Sequence, residues 1–314
     1  MAFFAVACIF LFLAMLLFPK EVFAGASQGL LLWFHTVFPT LFPFMVISAL
    51  LTSTGGARVV SRLFHPLLFR LFRTSENGSF AVLTGFLCGY PMGAKTAGDL
   101  VRNGQITQAE GQYLISFCNN LSPAFLMNYI VWNTLKEERL LVPTLLIQIG
   151  VPVILSFFFR RMYLKSSASF SLSDDKASTK PTVSGSAFDL LDKSLTDSFE
   201  AITKVGGYII LFSVFLKLSE QFFDSFPFLR YAAALLEVTN GVRIAGEGPE
   251  PLLIRYPFVM GISAFGGFCA AAQTQSMMRR TSIRIFPYIM QKLTAGAAAS
   301  LLAFLFFRFF QPFA

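Results

Sequence analysis

Charged side chains are scarce in this chain. Only 13% of its 314 residues are Asp, Glu, Lys or Arg, against 55% hydrophobic and 16% aromatic. That balance excludes a soluble domain, which needs a polar surface over one core, and points to an integral membrane protein. Histidine is rarer still, with His35 and His65 the whole complement. No histidine cluster or HExxH helix can be built from two. The four cysteines, Cys8, Cys88, Cys118 and Cys269, stand in apolar surroundings without CxxC spacing. They read as small buried hydrophobes, not as a zinc or redox centre. The GxSxG elbow and the GxxxxGK[ST] nucleotide loop are also missing, so the chain carries no enzyme signature. An ATP-driven pump would need its nucleotide domain on another chain.

What is present is apolar length. Windows at Phe3–Phe18, Leu30–Leu51, Tyr113–Leu135, Leu140–Phe159, Ile202–Leu218 and Ile283–Phe310 mostly approach the roughly 20 residues a helix needs to cross a bilayer. Shorter or broken windows cover Phe80–Met92, Tyr231–Val242 and Leu252–Ala272. About seven to nine membrane-embedded elements are predicted, some not crossing completely. The N-terminal apolar stretch ends in VFAGA, which resembles a signal-peptide cleavage site after Ala24, but no Lys or Arg precedes the apolar run. A retained first helix is the favoured reading. The 39 phenylalanines face lipid or pack, and nominate no ligand.

The net charge of +8 comes from basic residues at segment ends, such as Arg58, Arg62, Arg70, Arg73, Arg160, Arg161, Arg279 and Arg280. That placement suits anchoring in a lipid bilayer and does not make a nucleic-acid surface. A polar stretch, Ser166–Ser186, rich in Ser, Thr and Asp, is predicted as a loop in water. It divides the chain into a first membrane half with an N-terminal helix (1–165), the loop (166–186) and a second half (187–314).

The two halves resemble each other in order. GFLCGYPMGAKT in the first corresponds in sequence to AFGGFCAAAQT in the second, with Lys95 opposite Gln273. Paired interruptions of this kind are a sequence pointer to a transporter's substrate site, because broken backbone is tolerated at membrane depth only against protein or a cavity. The expected fold is an all-α polytopic membrane protein with an internal repeat and broken helices.

Candidate site residues follow from chemistry that hydrocarbon does not need. Gly89 and Tyr90 lie at the first interruption. Lys95 is either an anion contact there or satisfied by Asp99 four residues on. Arg102, on nearly the same face, leaves a positive surplus. In FCNNLSP, Asn119, Asn120 and Ser122 precede Pro123, whose missing N–H frees carbonyls that can hold a cation, while the amides and hydroxyl can meet a polar ligand or fasten helices. In LLEVTNG, Glu237, Thr239 and Asn240 can bind a coupling Na+ or H+; alternatively Glu237 sits among headgroups while Asn240 and Gly241 end a helix. Gln273 and Thr274 form a polar, uncharged lip to the second interruption. Arg279 and Arg280 anchor at phosphates. His35 is read as a structural histidine bonded across helices in preference to a proton relay. No bound cofactor is called for.

With these residues in view, the chain resembles the sporulation integral membrane family of nucleoside-recognition or gate-domain proteins, which includes the dipicolinate transporter of spore formers. The matching pieces are GLLLWFHTVFPTLFPFMVISALL, GFLCGYPMGAKTAGDLVRNGQIT, FCNNLSPAF, GGYIILFSVF, LLEVTNG and ISAFGGFCAAAQTQS, in family order over most of Gly29–Met277. The resemblance implies a fold similar to concentrative nucleoside transporters, with two re-entrant helical hairpins and broken helices around a central site. It implies secondary transport of a small organic anion, with dipicolinate the first candidate and the outer forespore membrane the location if the organism sporulates. A nucleoside cargo, or a non-transporting scaffold for spore-envelope assembly, stays open. So does a homo-oligomer.

Overall fold

The computed structural model describes residues 2–164, 186–223, 226 and 228–310. The polar stretch predicted at 166–186 lies outside them except for Ser186. Every described regular element is a helix. The first half contains α1 (Ala2–Leu17), α2 (Pro19–Leu32), a π-helical turn (Trp33–Val37), α3 (Phe38–Thr54), α4 (Gly56–Phe72), α5 (Glu76–Cys88), α6 (Met92–Arg102), α7 (Gln108–Cys118), α8 (Pro123–Phe125) and α9 (Leu141–Tyr163). Helix α8 continues as π-helical Leu126–Leu135. The second half contains α10 (Ala187–Glu220), α11 (Phe228–Ala233), α12 (Val238–Gly246), α13 (Leu252–Phe265), α14 (Gly267–Met277) and α15 (Ile285–Phe310).

Five helical segments are long and apolar enough to cross a membrane: Pro19–Thr54, Glu138–Tyr163, Ala187–Glu220, Leu252–Met277 and Ile285–Phe310. Large apolar side chains such as Phe23, Val59, Leu63, Leu146, Phe158 and Phe309 project outward from the bundle. In water such a belt would drive aggregation, whereas in lipid it is the solvated face. The protein is therefore a polytopic bundle of long apolar helices.

Local sequence sets the helix starts. Ser75, Thr107, Ser122 and Ser186 each precede a helix and accept an N–H from its first turn, at Gly78, Glu110, Phe125 and Asp189 respectively. Each bond satisfies a donor with no partner inside its own helix. Ser186 and Asp189 complete a reciprocal capping box, so the second half begins on a well-defined turn.

Two interruptions reverse the chain. Thr84 Oγ1 and Thr96 Oγ1 lie 3.1 Å apart, although twelve residues of straight helix would separate them by about 18 Å. Helices α5 and α6 thus run antiparallel, with Gly89–Tyr90–Pro91 at the tip. In the second half Tyr231 donates to the Glu250 carboxylate, and Gly241 sits so close to the Ala234 carbonyl that a Cβ would collide with it. Helices α11 and α12 form a shorter antiparallel pair with its tip at Leu235–Glu237.

The other two interruptions only bend. Gly266, at φ +86°, ends α13 with its N–H on the Ile262 carbonyl (2.8 Å), a left-handed conformation that glycine adopts without a steric penalty. Helices α13 and α14 both run back along α15: the Tyr256 and Phe307 rings are 5.2 Å apart at one end, and Thr274 Oγ1 is 3.4 Å from the Tyr288 hydroxyl at the other. Likewise α9 packs along both α7 and the π-helical segment after α8. The sequence match of GFLCGYPMGAKT to AFGGFCAAAQT therefore joins pieces of different shape. The first turns back on itself and the second bends, so Lys95 and Gln273 are not structural counterparts.

The halves interlock. Gly25 and Gly29 of α2 let its backbone approach α10 so closely that added Cβ atoms would lie 2.9 Å from Val214 Cα and 2.8 Å from Ile210 Cα. Trp33 Nε1 donates to the Ile202 carbonyl at 3.0 Å, with its indole over Gly206. Small residues at these crossings permit the close packing that associates helices in lipid.

Candidate functional site

All four interruptions converge. Gly89, at φ +86°, faces Ser122, where an added Cβ would lie 2.8 Å from the Ser122 nitrogen. The Tyr90 hydroxyl reaches to Gly266, where a Cβ would collide with it. The freed amides of α14 are taken up by the second tip: Phe268 N–H donates to the Leu235 carbonyl (2.9 Å) and Cys269 N–H to the Leu236 carbonyl (2.8 Å). Gly85 of α5 and Gly93 of α6 both press on the Cys118 carbonyl at the end of α7.

Between these breaks and helices α3 and α10 lies a cleft of ≈ 570 Å³, open mouth included. That is the size range of small-molecule sites. Its walls are mostly apolar, with Leu41, Leu121, Phe125, Val205 and Ile209 among them. Its polar contributors are Thr40, Tyr90, Ser122, Glu237, Thr239 and Gln273. A few oriented polar groups in an apolar wall suit selection of a small solute.

The predicted site residues divide into two groups. Gly89, Tyr90, Ser122, Glu237, Thr239 and Gln273 line the cleft. Lys95, Asn119, Asn120, Asn240 and Thr274 do not. Lys95 Nζ lies 3.0 Å from Asp99 Oδ2, and Arg102 pairs with the other oxygen of the same carboxylate. Arg102 also donates to the carbonyls of Met277 (2.9 Å) and Arg279 (3.0 Å), closing the C-terminal end of α14. The positive surplus expected on this face is thus spent on Asp99 and on helix-end carbonyls.

Asn119 is a fastener. Its Oδ1 accepts the Ala94 N–H (3.2 Å), while its Nδ2 donates to Thr274 Oγ1 (2.9 Å) and the Tyr288 hydroxyl (3.0 Å), which joins α6, α14 and α15. Asn240 does the same across the halves: it accepts from Gln28 Nε2 (2.8 Å) and donates to Ser213 Oγ (3.2 Å) and Glu237 Oε2 (2.9 Å). Glu237 is 2% exposed and does not lie among headgroups. Its carboxylate accepts the N–H groups of Thr239 (3.0 Å) and Asn240 (2.9 Å), so it caps the start of α12. Asn240 and Gly241 accordingly begin a helix and do not end one. His35 is exposed in its π-helical turn, with its ring edge-on to Phe34 (5.5 Å) and no cross-helix bond among the described residues.

One central residue was missed in the sequence. Lys292 of α15 is 2% exposed. Its ammonium donates to the Asn119 carbonyl (3.1 Å) and to Asn120 Oδ1 (3.0 Å), and lies 5.2 Å from the centre of the Tyr90 ring. No carboxylate is within ion-pair distance of it among the described residues. The signal was a lone lysine inside the apolar run Ile283–Phe310, a placement that by itself marks function or a buried partner.

Residues 34–133, which hold the first tip and the first bend, match the Gate family, described as nucleoside recognition. The chain is also similar to the sporulation integral membrane protein YlbJ of Bacillus subtilis (strain 168), 27% identical over 96% of this chain and 82% of the relative. It is a membrane protein similar to YlbJ, with a Gate-family match over residues 34–133. No solved structure matches it. The Gate match ends at Trp132 and Asn133, before α9, so it spans one of the two tips and one of the two bends; the similarity to YlbJ runs through both. These likenesses support a multi-pass, transporter-like protein of the bacterial membrane.

Proposed function

We propose that the chain is a secondary transporter of a small organic anion, with dipicolinate as the first candidate and the outer forespore membrane as its location in a spore former. The observation that carries the proposal is the cleft formed where two chain reversals and two helix bends meet, since backbone of this kind lines solute paths in membrane carriers. In this reading each half supplies a re-entrant hairpin followed by a bent helix, an internal repeat of the type that the resemblance to concentrative nucleoside transporters implies. Ser122, Thr239 and Gln273 orient the solute, and Lys292, behind the Tyr90 ring, supplies the positive field first sought at Lys95. Glu237 opposes an anion unless it carries a proton, because two like charges in a low dielectric repel. Proton-coupled anion transport is the consequence.

A nucleoside is the second reading. It is favoured by a lining that contains Gln273, Ser122 and Thr239 but no Lys or Arg. Purified protein in liposomes tests both: uptake of labelled dipicolinate, with uridine as competitor, identifies the cargo. Uridine uptake without dipicolinate uptake selects the second reading. Absence of flux for every dicarboxylate and nucleoside, in protein shown to be folded, overturns transport and leaves a scaffold.

A further inference from the structure

The bend at 119–122 leaves oxygen atoms with no amide to accept. Pro123 has no N–H, and the last carbonyls of α7 face the break, at the negative end of the helix dipole. Oxygens gathered at such an end are a place for a small cation. That place is already taken: the Lys292 ammonium bonds the Asn119 carbonyl at 3.1 Å and Asn120 Oδ1 at 3.0 Å, with the Tyr90 ring face 5.2 Å away on a further side. An ammonium with three directed N–H groups needs three such partners. The partners are all neutral, so the positive charge comes from the protein itself and is anchored on α15.

We propose that Lys292 is the resident cation of the 119–122 break: it fills the position a free sodium ion would take, and the protein binds no sodium there. On the transporter reading given above, a sodium gradient then does no work through this break. The first tip is also held against the bend without an ion, because Tyr90 stands over the same ammonium.

Binding of 22Na+ to the purified protein, compared between wild type and Lys292→Ala, tests the proposal without any transported solute. Failure here leaves transport untouched, and failure of transport leaves this result standing. Wild type is expected to show no saturable sodium binding. Lys292→Ala is expected to gain about one site per chain at the vacated oxygens, with sodium-dependent stabilisation that rises with concentration. The Lys292→Ala/Asn120→Ala double variant is expected to lose it again. Saturable sodium binding by wild type that survives Asn120→Ala places a cation elsewhere and leaves the resident-cation assignment standing, whereas binding abolished by Asn120→Ala overturns it. A folded Lys292→Ala protein that binds no sodium overturns it as well. If Lys292→Ala does not fold in choline buffer, rescue by sodium or ethylammonium supports the assignment. No rescue by either overturns it.

Discussion

Lys292 Nζ donates to Asn120 Oδ1 at 3.0 Å across 172 positions of sequence. Asn120 is in turn held by its Nδ2 donation to the Phe117 carbonyl at 2.6 Å. A side chain on the last helix and the broken end of α7 are thereby fixed to one another beside the cleft.

Replacing Asn120 by Leu removes one of the ammonium's two hydrogen-bond acceptors in a site closed to water. A lost hydrogen bond to a charged group corresponds to about 1.5–3 kcal/mol of stability. Thermal unfolding of the purified protein should show a clearly lowered midpoint. A midpoint equal to wild type would mean that the contact contributes nothing.

Lys95→Ala should behave oppositely. Lys95 pairs within its own helix with Asp99, which keeps Arg102 as a partner. Such pairs are worth about 0–1 kcal/mol. Flux in liposomes should stay near wild type, and a loss of tenfold or more would restore Lys95 to the site.

Glycine positions separate backbone contact from simple helix propensity. An alanine methyl at Gly85 would strike the Cys118 carbonyl, and at Gly241 the Ala234 carbonyl; neither obstacle is a side chain that can swing away. A methyl at Gly207 meets nothing within 4 Å. Gly85→Ala and Gly241→Ala should therefore lower expression and unfolding temperature sharply, while Gly207→Ala is neutral or stabilising by about 1 kcal/mol. Equal behaviour of the three would refute the close approach at the hairpins.

Glu237 has two roles that substitutions can divide. As the cap of α12 it accepts two backbone N–H groups, and Glu237→Ala should cost about 0.5–2 kcal/mol. Glu237→Gln keeps an acceptor oxygen but cannot take up a proton. If the carboxyl carries the coupled proton, wild-type anion flux falls as pH rises and the charged form accumulates. Flux by Glu237→Gln is then flat with pH and unresponsive to a proton gradient. A pH profile in the Gln variant identical to wild type assigns coupling to another group.

Much of the membrane architecture was legible in one dimension, because apolar length and the scarcity of charge leave no alternative solvent for helices such as α9, α10 and α15. The glycine and proline breaks were legible for a related reason: Gly89, Pro91, Pro123 and Gly266 each change what the backbone can do locally. Residues at those breaks that line the cleft, among them Tyr90, Ser122, Glu237 and Gln273, could thus be named from sequence. Whether a break reverses the chain or bends it was not legible. GFLCGYPMGAKT reverses because α5 and α6 find each other through Thr84, Thr96 and facing glycines, whereas AFGGFCAAAQT bends because α15 holds both of its sides. The electrostatics likewise awaited the fold. Sequence left Lys95 either an anion contact or a partner of Asp99, and the fold pairs it with Asp99. The charge beside the cleft belongs to Lys292, whose acceptors Asn119 and Asn120 lie more than 170 positions away. Composition and local backbone chemistry determine that this chain enters a membrane and where its helices break. Only tertiary packing decides which breaks meet and which buried charge stands among them, since those contacts join residues that sequence keeps apart.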